Sequence, residues 1–383
     1  MLHTSYIELS KKALNNNIRY LKSLAKKDTR YSMVIKANAY GHGIEDILPL
    51  IEECGVDHFS VFSVAEAKRA HKIKNKDCDL MILGWVDTDE ISWAIEHEVS
   101  FFVFTIERLR AACQVAKKMR KPAGIHIEVE TGMHRTGFDT EELKEAVQII
   151  KDNEDYFEVK GVCTHFAGAE EMASFDRVEK QIQNFNEACS WINEQNIYPE
   201  YRHAACSAAL FNFPDTAMDL MRIGISSYGF WPSTETKLLH LREKEGEEDP
   251  LERVLNWKSV VLSVKHVAEN EYVSYGKSYL TNRPTTIVTI PVGYGYGFSR
   301  TLSNKGHVLI HGKLVPVVGK VNMNMVVVDV TDLDTVEVGD EVVLIGKQGE
   351  EAITVDSFSD MNNSMNYELL TRLPDHIPKK VIA

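Results

Sequence analysis

Lys36 closes an apolar run, SMVIKA (32–37), and is followed at once by Asn-Ala-Tyr-Gly-His-Gly. A lysine at the end of a buried strand is costly unless it is used, because burial disfavours the ammonium form. A desolvated amine with a depressed pKa is a good imine-forming nucleophile and proton shuttle. Taken alone, a lysine snorkelling from a strand end fits the same residues equally well. The glycines of the Ala-Tyr-Gly-His-Gly segment, Gly41 and Gly43, strengthen the chemical reading, since glycine permits close approach of the backbone to a ligand.

Such a lysine needs a frame. From Leu9 to about Ser233, short apolar runs alternate with amphipathic stretches: SMVIKA (32–37), HFSVFSV (58–64), DLMILGW (79–85), VSFFVFT (99–105), GIHIEVE (124–130), VKGVCTHFA (159–167), YRHAACS (201–207) and LMRIGISSYG (220–229). Segments such as IERLRAACQVAKKM and VEKQIQNFNEACSWI carry apolar residues at helical spacing. A further helical stretch, LSKKALNNNIRYLKSLA, precedes the first run. Strands alternating with helices imply βαβ units and a parallel sheet. An open doubly wound sheet is one solution, but eight repeats fit a closed (β/α)8 TIM barrel better, with its active site at the carboxyl ends of the strands.

Near Lys237 the texture changes. REKEGEEDP (242–250) is almost entirely charged and reads as a solvated loop or junction. Beyond it LNWKSVVLSVKHV, EYVSYGKSYL, TTIVTIPVGY, HVLIHGKLVPVVGKV, NMVVVDV and DEVVLIG predict a mainly β domain, and SFSDMNNSMNYELLTRL predicts a closing helix. The expected division is a barrel over 9–237 and a β domain over 238–383, with residues 1–8 a candidate to join the latter.

The 383 residues are too many for one ordinary core, in agreement with that division. With 44% hydrophobic and 26% charged residues the composition is that of a globular protein and argues against disorder. Lysine plus arginine total 43 against 56 acidic residues, and the net charge of −13 disfavours a nucleic-acid binder that works by charge neutralisation. No apolar run approaches the roughly 18 to 20 residues that cross a bilayer, and MLHTSYIELSKK lacks the apolar core of a secretory signal, so the expected compartment is the cytoplasm. The six cysteines, Cys54, Cys78, Cys113, Cys163, Cys189 and Cys206, stand singly, without C-x-x-C or a metal-like cluster, and read as reduced thiols with no metal site. GYGYG (293–297) lacks G-x-G-x-x-G spacing and a downstream helix, so it is no phosphate loop.

VIKANAYGHG resembles the pyridoxal-phosphate lysine motif of the alanine racemase family, fold type III. The resemblance continues through ETGMHRTGF (130–138), THFAGAEE (164–171), HAACSAA (203–209), MRIGISSYG (221–229), VSYGKSY (273–279), PVGYGYGFSR (291–300), GKVNMNMVVVDVT (319–331) and NYELLTR (366–372), in the family's order. It implies an N-terminal barrel, a C-terminal mainly β domain, and a head-to-tail homodimer whose active site is completed across the interface. It assigns Lys36 to covalent capture of pyridoxal 5′-phosphate, and Tyr275 to a second base reaching into the partner subunit's barrel. Inverting an α-carbon requires proton removal on one face and return on the other, so two bases must flank it. A free phenol titrates near ~10, so this reading requires nearby positive charge.

By the same resemblance Arg222 faces the cofactor's ring nitrogen, His203 supports that arginine and His165 lies near the ring. Tyr40, Ser207, the backbone of Gly224 and Ile225, and Tyr367 hold the phosphate, as hydroxyls and backbone N–H groups can. Arg135 and the backbone of Met323 take the substrate carboxylate, and Glu170, Tyr294 and Arg300 line the entrance. The implied activity is interconversion of L- and D-alanine, feeding D-alanine to bacterial cell-wall synthesis.

The chain departs from the family pattern at Glu128, where a lysine, often carbamylated, usually stands; the expectation is that the Glu128 carboxylate supplies that negative charge itself, without modification by carbon dioxide, its shorter reach calling for a bridging water or a shifted Arg135. Gly293-Tyr-Gly-Tyr-Gly replaces the usual G-Y-A-D-G, and Asn324 stands where aspartate is common. These changes, Tyr296 among them, keep a serine or broad-specificity racemase as an alternative, since one small group in a cavity changes selectivity by only ~1–3 kcal/mol. A non-catalytic pyridoxal-phosphate carrier on the same barrel, or a scaffold without chemistry, would not need Tyr275 and its β domain.

Overall fold

The chain opens on a period-2 segment, Ser5–Ser10, in which Ile7 and Leu9 are fully buried; this is strand β1. It is followed by a helix, Lys11–Ser23, that buries Leu14, Ile18 and Leu21 on one stripe, as the helical spacing predicts. The computed structural model describes residues 4–242, 248–355 and 366–383. Two units are distinguished in it: Ala13–Ala39 with Ile47–Glu252, and Met1–Lys12 with Tyr40–Asp46 and Arg253–Ala383.

The first unit is an eight-stranded, nearly closed parallel barrel. Its strands are β2 (Arg30–Val34), β3 (His58–Val61), β4 (Asp79–Ile82), β5 (Ser100–Val103), β6 (Ala123–Glu128), β7 (Phe157–Cys163), β8 (Tyr201–His203) and β9 (Leu220–Ile223). Neighbours in sequence pair in parallel, and β9 returns to pair β2. The remaining seam, β8 to β9, is stitched by the Asp219 N–H to the Arg202 carbonyl at 3.2 Å and the Arg222 N–H to the Ala205 carbonyl at 3.0 Å. All eight apolar runs of the sequence supply these strands. Both faces are covered, so Met33, Phe59, Val61, Met81, Phe101, Val103, Ile125 and Ile127 are buried irrespective of which way they point. The amphipathic stretches form the outer helices, among them Ile106–Met119 and Phe175–Glu194.

The second unit is mainly β. One sheet runs β14 (Lys313–Pro316), β13 (His307–Ile310), β16 (Glu341–Gln348), β10 (Leu255–Val260), β1 and β18 (Lys379–Ile382), with β17 (Glu351–Ile353) also on β16; the other runs β11 (Ser263–Val267), β12 (Thr285–Ile290), β15 (Val326–Asp329). The parallel pairing of β18 with β1 ties the end of the chain to its beginning. EYVSYGKSYL is not the expected strand. Ser274 and Gly276 adopt φ of 66° and 67°, which breaks the extended chain and leaves one bridge, Tyr272 to Leu280. The closing helix is Asn366–Thr371; residues 357–365 of its predicted range, and residues 243–247 of the charged loop, lie outside the described residues. Among the described residues no helix is long and apolar enough to cross a membrane, and the six cysteines are free thiols.

Candidate active site

Lys36 follows β2 at the carboxyl end of the barrel. The backbone after it enters a left-handed turn: Ala37, Asn38 and Ala39 have φ/ψ near +53°/+48°, and Tyr40 has φ of 51°. The Ala39 N–H reaches back to the Ile35 carbonyl at 2.9 Å. Four consecutive side-chain-bearing residues in this region cost about 1–2 kcal/mol each, so the conformation persists only because its surroundings impose it. At Gly41 the chain's own backbone takes up the space that the missing Cβ leaves. A Cβ on Gly41, at φ of 81°, would sit 2.0 Å from the Leu370 carbonyl oxygen, so this glycine accommodates the chain's own backbone.

The half-buried Lys36 amine has its pKa lowered, first by burial and then by the positive charges of Arg135 and Arg222; Glu66 and Cys206 act in the opposite direction. Deprotonated amine is the form that attacks a carbonyl. His165, after β7, is pushed down to about 3 by burial, with Arg222, Arg135 and Lys36 adding to the effect. It is therefore a neutral imidazole at physiological pH.

Arg222 lies in β9 and is almost fully buried. One terminal nitrogen donates to His203 Nδ1 and, at 2.7 Å, to the His203 carbonyl; the other donates to the Thr164 carbonyl at 2.7 Å and the Ala204 carbonyl at 3.4 Å. Its Nε–H has no partner among the described residues. Because Arg222 donates to Nδ1, His203 must carry its proton on Nε2, which donates to His126 Nδ1 at 2.9 Å; His126 Nε2 then donates to Ser100 Oγ at 3.1 Å. Burial depresses both imidazoles far below their ordinary range. A chain of neutral rings thus fixes the guanidinium from behind without neutralising its charge.

Arg135 rides on a loop held by Glu130, whose carboxylate accepts the Gly132 N–H, the Met133 N–H at 2.8 Å and the His134 N–H at 2.7 Å. Asn184 Nδ2 ties the Thr131 carbonyl to a neighbouring helix at 2.9 Å, and Gln181 Nε2 donates to Thr131 Oγ1 at 3.2 Å and the His165 carbonyl at 3.1 Å. Glu128, ending β6, accepts from Thr136 Oγ1 at 3.0 Å and forms no ion pair with Arg135. Burial raises its pKa, and the Thr136 hydrogen bond and the charges of Arg222 and Arg135 act in the opposite direction, so Glu128 and Arg135 interact through their charges without a direct contact.

Ser207 opens the short helix Ser207–Asn212, and its Oγ accepts the N–H groups of Gly224 at 3.2 Å and Ser226 at 3.4 Å. Gly224 and Ile225 begin a 3-10 turn, Ile225–Tyr228. This hydroxyl and the turn's N–H groups form the kind of donor set that a phosphate dianion requires. Together with a buried arginine that has one N–H to spare and an amine of lowered pKa, they fit pyridoxal phosphate. Glu170 is half-buried, and its carbonyl accepts from Ser233 Oγ at 2.7 Å.

The other predicted residues lie in the β unit. Tyr275 is 70% exposed, and its hydroxyl has no hydrogen-bond partner among the described residues. The turn that presents it is fixed by Ser274 Oγ, which donates to the Lys320 carbonyl at 2.8 Å. Tyr275, Tyr294, Arg300, Met323, Asn324 and Met325 line a hollow of about 400 Å³. Its floor is zipped by the Tyr294 N–H to the Asn322 carbonyl at 3.0 Å and the Gly295 N–H to the Met323 carbonyl at 2.8 Å. Tyr296 is half-buried in its own 3-10 turn, Tyr294–Tyr296. Tyr40 falls at the end of the left-handed turn; the Tyr367 side chain lies outside the described residues.

Sequence reasoning missed Glu66, His126, Glu130 as a loop anchor, and Gln181. His126 had a signal, since in Gly-Ile-His-Ile-Glu it shares a strand face with Glu128. Gln181 had none.

Comparison with known proteins agrees over the whole chain. Residues 9–232 match the alanine racemase N-terminal domain and residues 254–381 the alanine racemase C-terminal domain. An alanine racemase of Leptospira interrogans is 34% identical over 380 residues, covering 99% of this chain and 96% of the relative; one of Methanococcus maripaludis is 34% identical over 378 residues, covering 98% of each. The crystal structure of an alanine racemase from Bacillus anthracis with bound L-Ala-P superposes with a TM-score of 0.90 at 30% identity, covering 100% of this chain and 96% of the other. One from Bartonella henselae with covalently bound pyridoxal phosphate gives 0.85 at 27% identity, with both chains fully covered.

Two expected outcomes test the geometry. A Cβ at Gly161 would overlap His126 Nδ1 and His203 Nε2, so Gly161→Ala lowers barrel stability by about 1–3 kcal/mol in a denaturant melt; an unchanged midpoint contradicts the packed imidazole pair. Glu128 has a raised pKa in the fold, so its ionisation opposes folding above that value. Glu128→Gln therefore raises the melting temperature at neutral pH, and the gain shrinks as pH falls toward the ordinary carboxylate range. The same variant has a higher KM if the carboxylate's field serves Arg135; unchanged KM and kcat rule that role out.

Proposed function

The chain belongs to the alanine racemase family, and from that premise we propose that it interconverts L- and D-alanine, with pyridoxal 5′-phosphate held on Lys36 and a homodimer completing each site. The carrying observation is the half-buried Lys36 amine, set at the carboxyl end of the barrel beside a fixed, buried Arg222. When bound, pyridoxal phosphate supplies an electron sink for the pair left behind by the α-proton. Lys36 Nζ, in its neutral form, is the base on one face of the α-carbon. Tyr275 Oη of the partner subunit is the base on the other face, in keeping with an exposed phenol that has no hydrogen-bond partner among the described residues of its own chain.

Arg222, whose Nε–H is to spare, would meet the cofactor's ring nitrogen; as a guanidinium that keeps its proton it would leave that nitrogen unprotonated and discourage transamination. Ser207, with the backbone of Gly224 and Ile225 and the hydroxyls of Tyr40 and Tyr367, would hold the phosphate. Arg135 and the Met323 backbone of the partner subunit orient the substrate carboxylate, while Glu170, Tyr294 and Arg300 line the way in. His165, neutral, would lie near the ring without adding charge. The product D-alanine serves cell-wall synthesis, and the reaction takes place in the cytoplasm.

Purified protein is expected to be yellow, with borohydride fixing the cofactor to the Lys36 peptide. Racemisation followed by circular dichroism across L-alanine, L-serine and larger amino acids should show alanine as the best substrate; a preference for serine would instead favour the broader racemase suggested by Asn324 and Tyr296. Lys36→Ala should lose colour and at least about 10³-fold in rate. Tyr275→Ala should slow α-proton exchange far more from one enantiomer than from the other; equal loss from both contradicts the two-face assignment.

A further inference from the structure

The left-handed turn after Lys36 is gripped from outside the site by one helix, Val64–His71, which follows β3. We propose that Glu66 is a positioning residue for Lys36: its carboxylate clamps the turn to the start of this helix and thereby fixes the direction from which the amine enters the site. The inference rests on Lys36 being the cofactor-binding lysine, as proposed above.

Glu66 Oε1 accepts the Ala37 N–H at 2.6 Å, while Oε2 accepts the Phe62 N–H at 2.9 Å and the Ser63 N–H at 3.2 Å. The Ser63 bond belongs to an ordinary capping box, completed by the Glu66 N–H to Ser63 Oγ at 3.3 Å. The Ala37 bond does not. It fixes the residue next to Lys36 at the first position of a turn whose conformation is intrinsically unfavourable. One helical turn further on, Arg69 Nη2 donates to Asn38 Oδ1 at 2.7 Å, so the same helix holds two successive residues of the turn.

The residue type matters as much as its place. Three N–H donors converge on two oxygens, and an ionised carboxylate has acceptors on both. A glutamine has one acceptor oxygen and would turn an NH₂ toward either Ala37 or the Phe62–Ser63 backbone. Charge adds to this. Arg135 on its loop and Arg222 on β9 lower the pKa of Lys36, and the Glu66 carboxylate acts against them.

The test compares wild-type holoenzyme with Glu66→Gln and Ser63→Ala. Ser63→Ala removes the other half of the capping box and leaves the Ala37 bond in place. Each holoenzyme is dialysed against hydroxylamine, loss of the cofactor's visible absorbance is timed, and a thermal melt is recorded. The expected result is cofactor loss about tenfold faster in Glu66→Gln, with Ser63→Ala at the wild-type rate even where its melting temperature is reduced. Loss at the wild-type rate in Glu66→Gln, or equal acceleration in both variants, overturns the assignment. A wild-type protein that never turns yellow sinks the reading of Lys36 itself and this inference with it; a yellow wild type with an unaltered Glu66→Gln sinks the inference alone.

Discussion

An amine does nucleophilic and basic work only where its proton is cheap to remove, and the barrel arranges this by withdrawing Lys36 from water beside two guanidinium groups. Everything else at the carboxyl end of the strands follows from keeping those cations there. Arg222 is buried without a carboxylate in hydrogen-bond contact, a situation that would ordinarily cost several kcal/mol. It is made tolerable by four terminal donations to acceptors of β7, β8 and their connecting loops. Three of those acceptors are backbone carbonyls, so the charge is solvated by the scaffold and not cancelled by it.

The imidazoles behind Arg222 serve the same end. A carboxylate in the place of His203 would have fixed the guanidinium equally well, but it would have cancelled the positive field acting on Lys36. Neutral His203 and His126 orient without discharging. Glu128 has a comparable position on the other side: buried, hydrogen-bonded to Thr136, and held away from Arg135. It tempers the positive field at a distance, and it does so at some expense to folding stability.

Much of this was legible in the sequence, for identifiable reasons. Parallel strands are buried on both faces and so appear as continuous apolar runs, which is why eight runs became eight strands, even the three-residue Tyr201–His203. Lys36 was legible because it ends such a run, whereas His165, His203 and Arg222 were legible only through the resemblance of the segments that carry them to the family's motifs. The left-handed turn was not, since Ala37, Asn38 and Ala39 have no residue type that demands positive φ. Gly41 was only half legible for a related reason: the need for a missing Cβ was visible, but not that the Leu370 carbonyl, over three hundred residues away in sequence, creates it. Glu66 was not singled out at all: it sits three residues after Ser63, at capping-box spacing, and nothing in that spacing signals the longer bond to Ala37. EYVSYGKSYL has strand composition, yet Ser274 turns out of the extended region because its hydroxyl is held by Lys320.

The central claim is that nitrogen and phenol stand on opposite sides of one carbon, with the phenol arriving from a second copy of the chain. A crystal structure of the protein with pyridoxal phosphate and a non-reacting alanine analogue measures this directly. The account predicts Nζ of residue 36 and the hydroxyl of residue 275 from the neighbouring subunit within hydrogen-bonding reach of the α-carbon's two faces. A phenol pointing elsewhere, or one contributed by the same chain as the lysine, would contradict it.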